Sequence, residues 1–313
     1  MVTIPTVEVW LWDLHIASLA QSPDASQTVT FRYTDDFVAT GYEVAPILMP
    51  SGRQIFSGFD VRGETFKGLP PLVIDSLPDR FGEAIINQWI ARQRRTEPLT
   101  PLERLCYVGA RGMGALEYRP ATPRPDLTDE ALDVQHLVEL ANDVVASRDG
   151  TMSEGLSTEE DFAQILSVGT SAGGARAKAV IAFDPSTQEV RSGQAQDLPD
   201  GFEHWLLKFD GVDGNRDKEL ADPQGFGRVE YAYWLMARDV GIDMAECRLL
   251  EENGRAHFMT RRWDRIGANG KLHYQSLCAM GGYDFNQPRL TSYEDLFRVM
   301  RRLRLGVPEL VEM

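Results

Sequence analysis

Three cysteines in 313 residues, no long apolar run and a deficit of positive charge exclude several classes of protein. Cys106, Cys247 and Cys278 stand at unrelated spacings, so neither a disulfide framework nor a zinc site is expected, and a reducing cytoplasm fits best. No apolar stretch approaches the roughly 20 residues needed to span a bilayer. The start, Met-Val-Thr-Ile-Pro, lacks a basic region followed by an apolar core, so no signal peptide is expected. Lys and Arg total 32 against 47 Asp and Glu, giving a net charge of −15. Such a surface repels nucleic acid and anionic membrane, although a local basic site can still bind phosphate. What is present, 43% hydrophobic and 25% charged residues, suits an ordinary globular chain long enough for two domains or lobes.

The stretch around which the rest is organised is Ser167-Val-Gly-Thr-Ser-Ala-Gly-Gly-Ala-Arg-Ala-Lys178, which runs into the apolar segment 179–183. Glycine lets the backbone approach a ligand closely, so that successive N–H groups can face one anion. Arg176 and Lys178 add positive charge beside it. Two readings stand side by side: a phosphate-binding loop feeding a strand, and an ordinary glycine-rich hairpin. A Walker A loop is excluded, because no Gly-Lys-Ser/Thr closes the run.

Before this stretch, residues 7–61 carry mostly β signals, with alternation at 7–12 and 29–33 broken by turn clusters at 22–26 and 50–52. A helix is expected to about residue 92, with Leu77, Phe81, Ile85, Ile86 and Trp89 on one stripe and Asp75 or Ser76 as cap. Asp75 and Asp79 suit caps and dipole partners better than an acid pair for chemistry. Thr100 and Glu103 spell a capping box. The glycines of 108–116 again suggest phosphate, although a tight turn into a strand needs the same residues and is the stronger reading, and the proline-rich 119–125 reads as a linker. A helical stripe follows over 132–145, then a polar connection over 147–157.

Beyond it, a helix over 159–166 delivers the glycine-rich run, and an apolar strand over 203–209 carries Lys208 near its end. An ammonium there is either the strand's solvated exit or a point-charge partner for phosphate. Residues 210–217 read as an acidic loop. A helix over 227–241 carries Glu230 in its first turns, either as a dipole partner or as an ion-pair partner for Lys208. Residues 247–251 and 255–260 read as a hairpin about Asn253-Gly254. Thr291-Ser-Tyr-Glu294 reads as a capping box for a helix to about residue 305, and Gly306-Val-Pro308 as its stop before a short apolar-bearing turn.

Together these residues resemble the HipA family, bacterial serine/threonine kinase toxins of type II toxin–antitoxin systems. Gly68-Leu-Pro-Pro71 with Asp75-Ser-Leu-Pro-Asp-Arg-Phe-Gly82 is similar to the family's N-terminal signature, and Ser171-Ala-Gly-Gly-Ala-Arg-Ala-Lys178 to its glycine-rich loop. Trp205-Leu-Leu-Lys-Phe209, Val229-Glu-Tyr231, Arg262-Trp-Asp-Arg265 and Tyr274-Gln-Ser-Leu-Cys278 follow in the family's order. The resemblance implies an α+β fold: a β-rich N-terminal domain with helices over 1–125, a helix and linker over 126–157, and over 158–313 a kinase-like nucleotide-binding lobe with the start of a helical lobe.

The resemblance also implies ATP and Mg²⁺ as cofactors. Lys208 matches the ATP-phosphate lysine and Glu230 its partner. Gly173, Gly174, Ala175 and Lys178 fall in the phosphate loop, and Arg261 to Trp263 match the hinge that holds adenine through backbone groups. Ser171 matches a regulatory autophosphorylated serine. It further implies a helix-turn-helix antitoxin, HipB-like, as partner, DNA contact mainly through that antitoxin, no membrane, and a protein substrate, in one branch glutamyl-tRNA synthetase. The family's catalytic-loop Asp and Asn and its metal-binding Asp have no counterpart before Met313, and Tyr283-Asp-Phe-Asn286 is rejected as an Asp-Phe-Gly motif. An interrupted kinase with no catalytic residue in this chain is therefore expected. The alternatives are a decoy that binds antitoxin or nucleotide without transfer, and an acyl- or small-molecule kinase on a similar scaffold.

Overall fold

In the computed structural model, the alternating segment Thr6–Leu11 forms strand β1, with Val7, Val9 and Leu11 buried and Thr6 and Glu8 exposed. The described residues are 6–21, 28–58, 63, 65–93, 95, 97–123, 130–146, 158–169, 176–195, 198–212, 224–267, 269–287 and 289–306. They divide into two compact units that interleave along the chain. One gathers residues 1–77, 99–122 and 271–313, and the other 78–98 and 123–270. Residues 78–98 and 271–313 thus depart from chain order, unlike an expected division near 125 and 157.

The first unit is built on an antiparallel sheet. Strands β2 (Leu14–Gln21), β3 (Val29–Tyr33), β4 (Ile55–Ser57) and β5 (Leu116–Arg119) join β1 in the order β4-β3-β2-β1-β5. A short helix α1 (Asp35–Thr40) follows β3. Helix α3 (Pro101–Val108) packs over β1, β2 and β5 and buries Leu102 and Leu105. Its capping box is the expected one, Thr100 with Glu103. The apolar face of the sheet, with Ile16, Leu19, Phe31 and Tyr33, completes this core. Helix α8 (Tyr293–Arg302) also opens with a capping box, but one residue later than expected, from Ser292 and Asp295.

The second unit holds another antiparallel sheet, of β6 (Lys178–Phe183), β7 (Val190–Ser192), β8 (Glu203–Lys208), β9 (Cys247–Glu252) and β10 (Arg255–Arg261), in the order β7-β6-β8-β10-β9. All six residues of β6 are buried, which explains its continuous apolar run. Helices α2 (Arg80–Arg92), α4 (Val134–Ala146) and α5 (Glu159–Val168) pack on one another, and α5 reaches β6. Helix α6 (Phe226–Asp239) lies on β9 and β10. Of its own residues only Gly227 and Trp234 are buried, while Val229, Tyr233, Leu235 and Met236 are exposed. The helix stands where it was expected, and the face that docks carries Gly227 and Trp234.

The expected helix start near Asp75 and Ser76 is corrected by the backbone. Residues Pro71–Ser76 form a 3₁₀ turn, and α2 begins only after Asp79, whose carboxylate accepts from Gly82 N at 2.7 Å. The prolines at 70, 71 and 78 oppose a longer α-helix, each lacking a backbone donor. Asp75 instead works within the first unit. Its two carboxylate oxygens accept from Ser276 N and Ser276 Oγ, both at 2.6 Å, and Ser276 Oγ in turn accepts from Ala279 N at 3.1 Å. Asp75 thereby orients the cap of helix α7 (Leu277–Gly281). Burial raises its carboxyl above the usual range, against the lowering effect of the Ser276 bonds. Asp75→Ala strips the acceptor from the Ser276 N–H and should cost about 1–3 kcal/mol in urea unfolding, far more than an exposed carboxylate.

Candidate functional site

The register of the second sheet brings its charges together. Lys178 on β6 lies directly opposite Lys208 on β8, and Lys208 lies opposite Phe258 on β10. Like charges at opposed positions destabilise a sheet unless each is compensated. Both are compensated, by different carboxylates. Lys208 pairs with Glu230 of α6, its ammonium also lying 5.5 Å from the centre of the Phe258 ring. Lys178 pairs with Asp79, the N-cap of α2.

The two pairs differ in access, and that decides what each can do. The Lys208 and Glu230 side chains are 33% and 26% exposed, so a ligand can reach them. Those of Lys178 and Asp79 are 3% and 2% exposed, which makes that pair a structural one. Lys178, expected beside the phosphate loop, is therefore held inside the unit. Arg176 takes the place that charge counting had offered to either residue. Its guanidinium lies 3.5 Å from the other oxygen of Glu230 and stacks 4.4 Å from the centre of the Phe226 ring. One carboxylate thus holds two cations, leaving a net positive charge at a partly open position. Ser171, Gly173, Gly174 and Ala175 lie outside the described residues.

Glu230 is placed by the way α6 meets the sheet. A Cβ on Gly227 would stand 1.9 Å from Ala256 O, so only glycine lets the first turn rest on the β10 backbone. An alanine, ordinarily the better helix former by about 1 kcal/mol, would push α6 and Glu230 away from Lys208. Asp210, two residues after Lys208 and expected merely as part of an acidic loop, ties the same parts together. Its carboxylate accepts from Gly225 N at 2.7 Å and Ala256 N at 3.2 Å, while its own N–H donates to His257 Nδ1 at 2.9 Å. Since Nδ1 accepts, His257 is the neutral tautomer protonated at Nε2, 3.3 Å from Glu252 Oε1. Burial pushes its pKa down from 6.5 to about 4, against the pull of Asp210.

The expected hinge, Arg261 to Trp263, leaves the end of β10. Arg261 N donates to Glu246 O at 2.8 Å, and Arg262 N to His204 O at 2.9 Å. The Arg261 guanidinium sits 3.1 Å from Glu203 and is half exposed, as is the Trp263 ring. Arg262 is turned inward and buried. The structure thus gathers Lys208 and Glu230 at one point and displays Arg261 and Trp263 at the strand exit. Sequence inspection missed Arg176 as a Glu230 partner, Asp79 as a Lys178 partner, and Asp210. Only the short spacing from Lys208 could have pointed to Asp210. Asp284 of the rejected Tyr283-Asp-Phe-Asn286 motif accepts from Thr65 Oγ1, from Asn286 N at 2.9 Å and from Gln287 Nε2 at 2.9 Å, as a turn residue does.

Two measurements check this electrostatic frame. Asp79→Asn keeps a competent N-cap but removes the charge opposite Lys178, and should cost about 3–5 kcal/mol in urea unfolding. Adding Lys178→Met should recover most of that loss, whereas equal losses would mean that the pair is unimportant. For His257, a folded pKa below the unfolded one means that only the unfolded chain binds the proton between pH 6.5 and about 4. Its contribution to stability is full above pH 6.5 and falls as pH drops toward 4. The unfolding midpoint should decline across that window, and NMR titration should find the His257 ring neutral down to about pH 4.

Residues 7–119 match the HipA N-terminal domain, and residues 170–313 match the HipA-like C-terminal domain. No curated protein matches the chain. Among solved structures, the chain is similar to one in the complex of the Shewanella oneidensis MR-1 toxin–antitoxin system HipA, HipB and its operator DNA, with a TM-score of 0.55 and 15% identity. The match covers 93% of this chain and 63% of that one, so this chain spans less than two thirds of its length. At that identity the likeness is one of fold. The two domain matches, in the order and at the places where the motifs stand, show that the chain belongs to the HipA family.

Proposed function

We propose that this chain is the nucleotide-binding part of a HipA-family toxin kinase, taking ATP with Mg²⁺ at the Lys208–Glu230 pair. The observation that carries the proposal is that ion pair, partly open, at the end of an apolar strand that pairs with β6, the strand following the glycine-rich run in sequence. Kinase-type phosphoryl transfer uses a strand lysine aimed at the nucleotide phosphates by a helix glutamate. Glu230 holds the Lys208 ammonium in place, and a triphosphate would compete with Glu230 for that ammonium and for Arg176. Gly173, Gly174 and Ala175 join the phosphate site by resemblance, while Arg261 to Trp263 would take the base through backbone groups. When bound, ATP would supply the phosphoryl group, with an accompanying Mg²⁺ screening its charge. Mg²⁺ would enter as the counterion of the nucleotide phosphates.

The transfer itself, to a serine of a protein of translation such as glutamyl-tRNA synthetase, is proposed for the whole protein. A HipB-like antitoxin is the proposed partner, supported by the HipA, HipB and operator assembly of the Shewanella relative. With a net charge of −15, this chain would approach DNA through that antitoxin rather than directly. A cytoplasmic site of action accords with the family, and among the described residues no helix is long and apolar enough to cross a membrane. Phosphorylation of Ser171, regulatory by resemblance, would add about two negative charges to the glycine-rich run, and these would compete with nucleotide for its cations.

Calorimetry with ATP and Mg²⁺ tests the proposal. Lys208→Ala leaves Glu230 paired with Arg176, so the variant should fold while binding ATP about tenfold or more weakly. Absence of ATP binding by the parent chain, or equal binding by the variant, would overturn it.

A further inference from the structure

We infer that Asp264 is a positioning residue that fixes the strand exit Arg261–Trp263 for the base of the nucleotide. The inference rests on the proposed nucleotide site and adds a residue to it. Its carboxylate is fully buried and carries three charge-assisted bonds. Arg262 Nε donates to Oδ1 at 2.9 Å, Arg262 Nη2 to Oδ2 at 2.6 Å, and Arg265 Nη1 to Oδ2 at 2.6 Å. Arg265 Nη1 also donates to the Asp264 carbonyl at 3.1 Å. Two guanidiniums, themselves almost entirely buried, therefore share one carboxylate within four residues of chain.

The arrangement alternates along the backbone. Arg261 and Trp263 face outward and are half exposed, while Arg262 and Asp264 face inward and are buried. Between them the backbone is pinned by Arg261 N to Glu246 O and Arg262 N to His204 O. A buried ion cluster is a poor way to gain stability, since apolar residues of the same volume usually do as well or better. Its three bonds are directional, however, and a planar guanidinium gripping both oxygens of a carboxylate leaves Arg262 and Asp264 one relative orientation. That orientation sets the outward direction of Trp263 and of the backbone groups at 261–263. The Arg261 and Arg262 N–H groups hold the segment to its neighbours, so an adenine would use other backbone groups of 261–263; these need to be fixed before it arrives, and Asp264 fixes them without touching the ligand.

The test separates the base from the phosphates. Asp264→Asn keeps the size of the side chain but takes away the charge shared by Arg262 and Arg265. With Mg²⁺ present, the variant should bind ATP about tenfold more weakly, yet bind inorganic tripolyphosphate as the parent does. Unchanged ATP binding, or equal weakening toward both probes, would overturn the inference, the second outcome being that of a general structural loss. If Asp264→Asn does not fold, Arg265→Met retains the Arg262–Asp264 grip and should give the same split at smaller size. A readout without nucleotide is the fluorine NMR resonance of Trp263 in 5-fluorotryptophan-labelled protein, assigned with Trp263→Phe. It should move or broaden in Asp264→Asn while the other tryptophan resonances stay in place, and a stationary signal would count against positioning. Should the parent bind tripolyphosphate but not ATP, the proposed base site fails, and the fluorine signal still decides whether Asp264 positions the segment.

Discussion

Two lysines opposite each other across neighbouring antiparallel strands impose the constraint on which the second unit depends. Lys178 and Lys208 are paired in register, and such a pair is tolerated only if each ammonium finds its own carboxylate. Asp79 reaches Lys178 from the N-cap of α2, and Glu230 reaches Lys208 from the first turns of α6. Two helices are thereby tied to the sheet by charge as well as by packing. One link closes inside the unit and the other remains partly open, so a single electrostatic problem yields a structural bond and a ligand-accessible cation.

The open pair depends on several groups that never touch it. Gly227 allows α6 to lie against the β10 backbone, and Asp210 bonds to the start of α6 and to β10 from the segment that follows Lys208. His257 accepts the Asp210 N–H, which requires a neutral ring, and burial holds the imidazole's pKa low. Asp210 and His257 are each matched to specific donors or acceptors, and a mismatch at either would be felt at Glu230 through the docking of α6. Of the apolar side chains of α6, Val229, Tyr233, Leu235 and Met236 point outward, and Trp234 packs with Cys247 and Phe258. Contact at Gly227 and Trp234, with the Trp234 indole donating to Ala245 O at 3.0 Å, carries the docking instead.

At the other end of β10 a second set of charges shapes the chain. The buried cluster of Arg262, Asp264 and Arg265 and the outward-facing Arg261 and Trp263 alternate along one short segment. Lys208 ends β8 opposite the middle of β10, while Trp205 near the start of β8 lies opposite Arg261, so the proposed phosphate and base positions lie at different points along this pair of strands. Antiparallel pairing alone produces this separation. A nucleotide spanning from Lys208 to the 261–263 segment would lie along that direction.

Much of the local structure was legible in the residues. Alternation marked β1 and β3, Thr100 and Glu103 marked the start of α3, and Asn253-Gly254 marked the β9–β10 turn, where both residues take positive φ. Lys208 and Glu230 were also legible as a pair, through motif order. These signals work because they rest on contacts within a few residues or on chemistry repeated in a family. Only the tertiary structure decided that Lys178 serves Asp79, 99 positions away, that Arg176 shares Glu230, and that Asp210 is a buried anchor. It also decided which face of α6 is docked. Those choices depend on strand register and on the approach of one backbone to another, which bring together residues that share no local pattern. Local periodicity and capping determined what each segment became, and the pairing of distant charges in a low-dielectric interior determined what each cation was for.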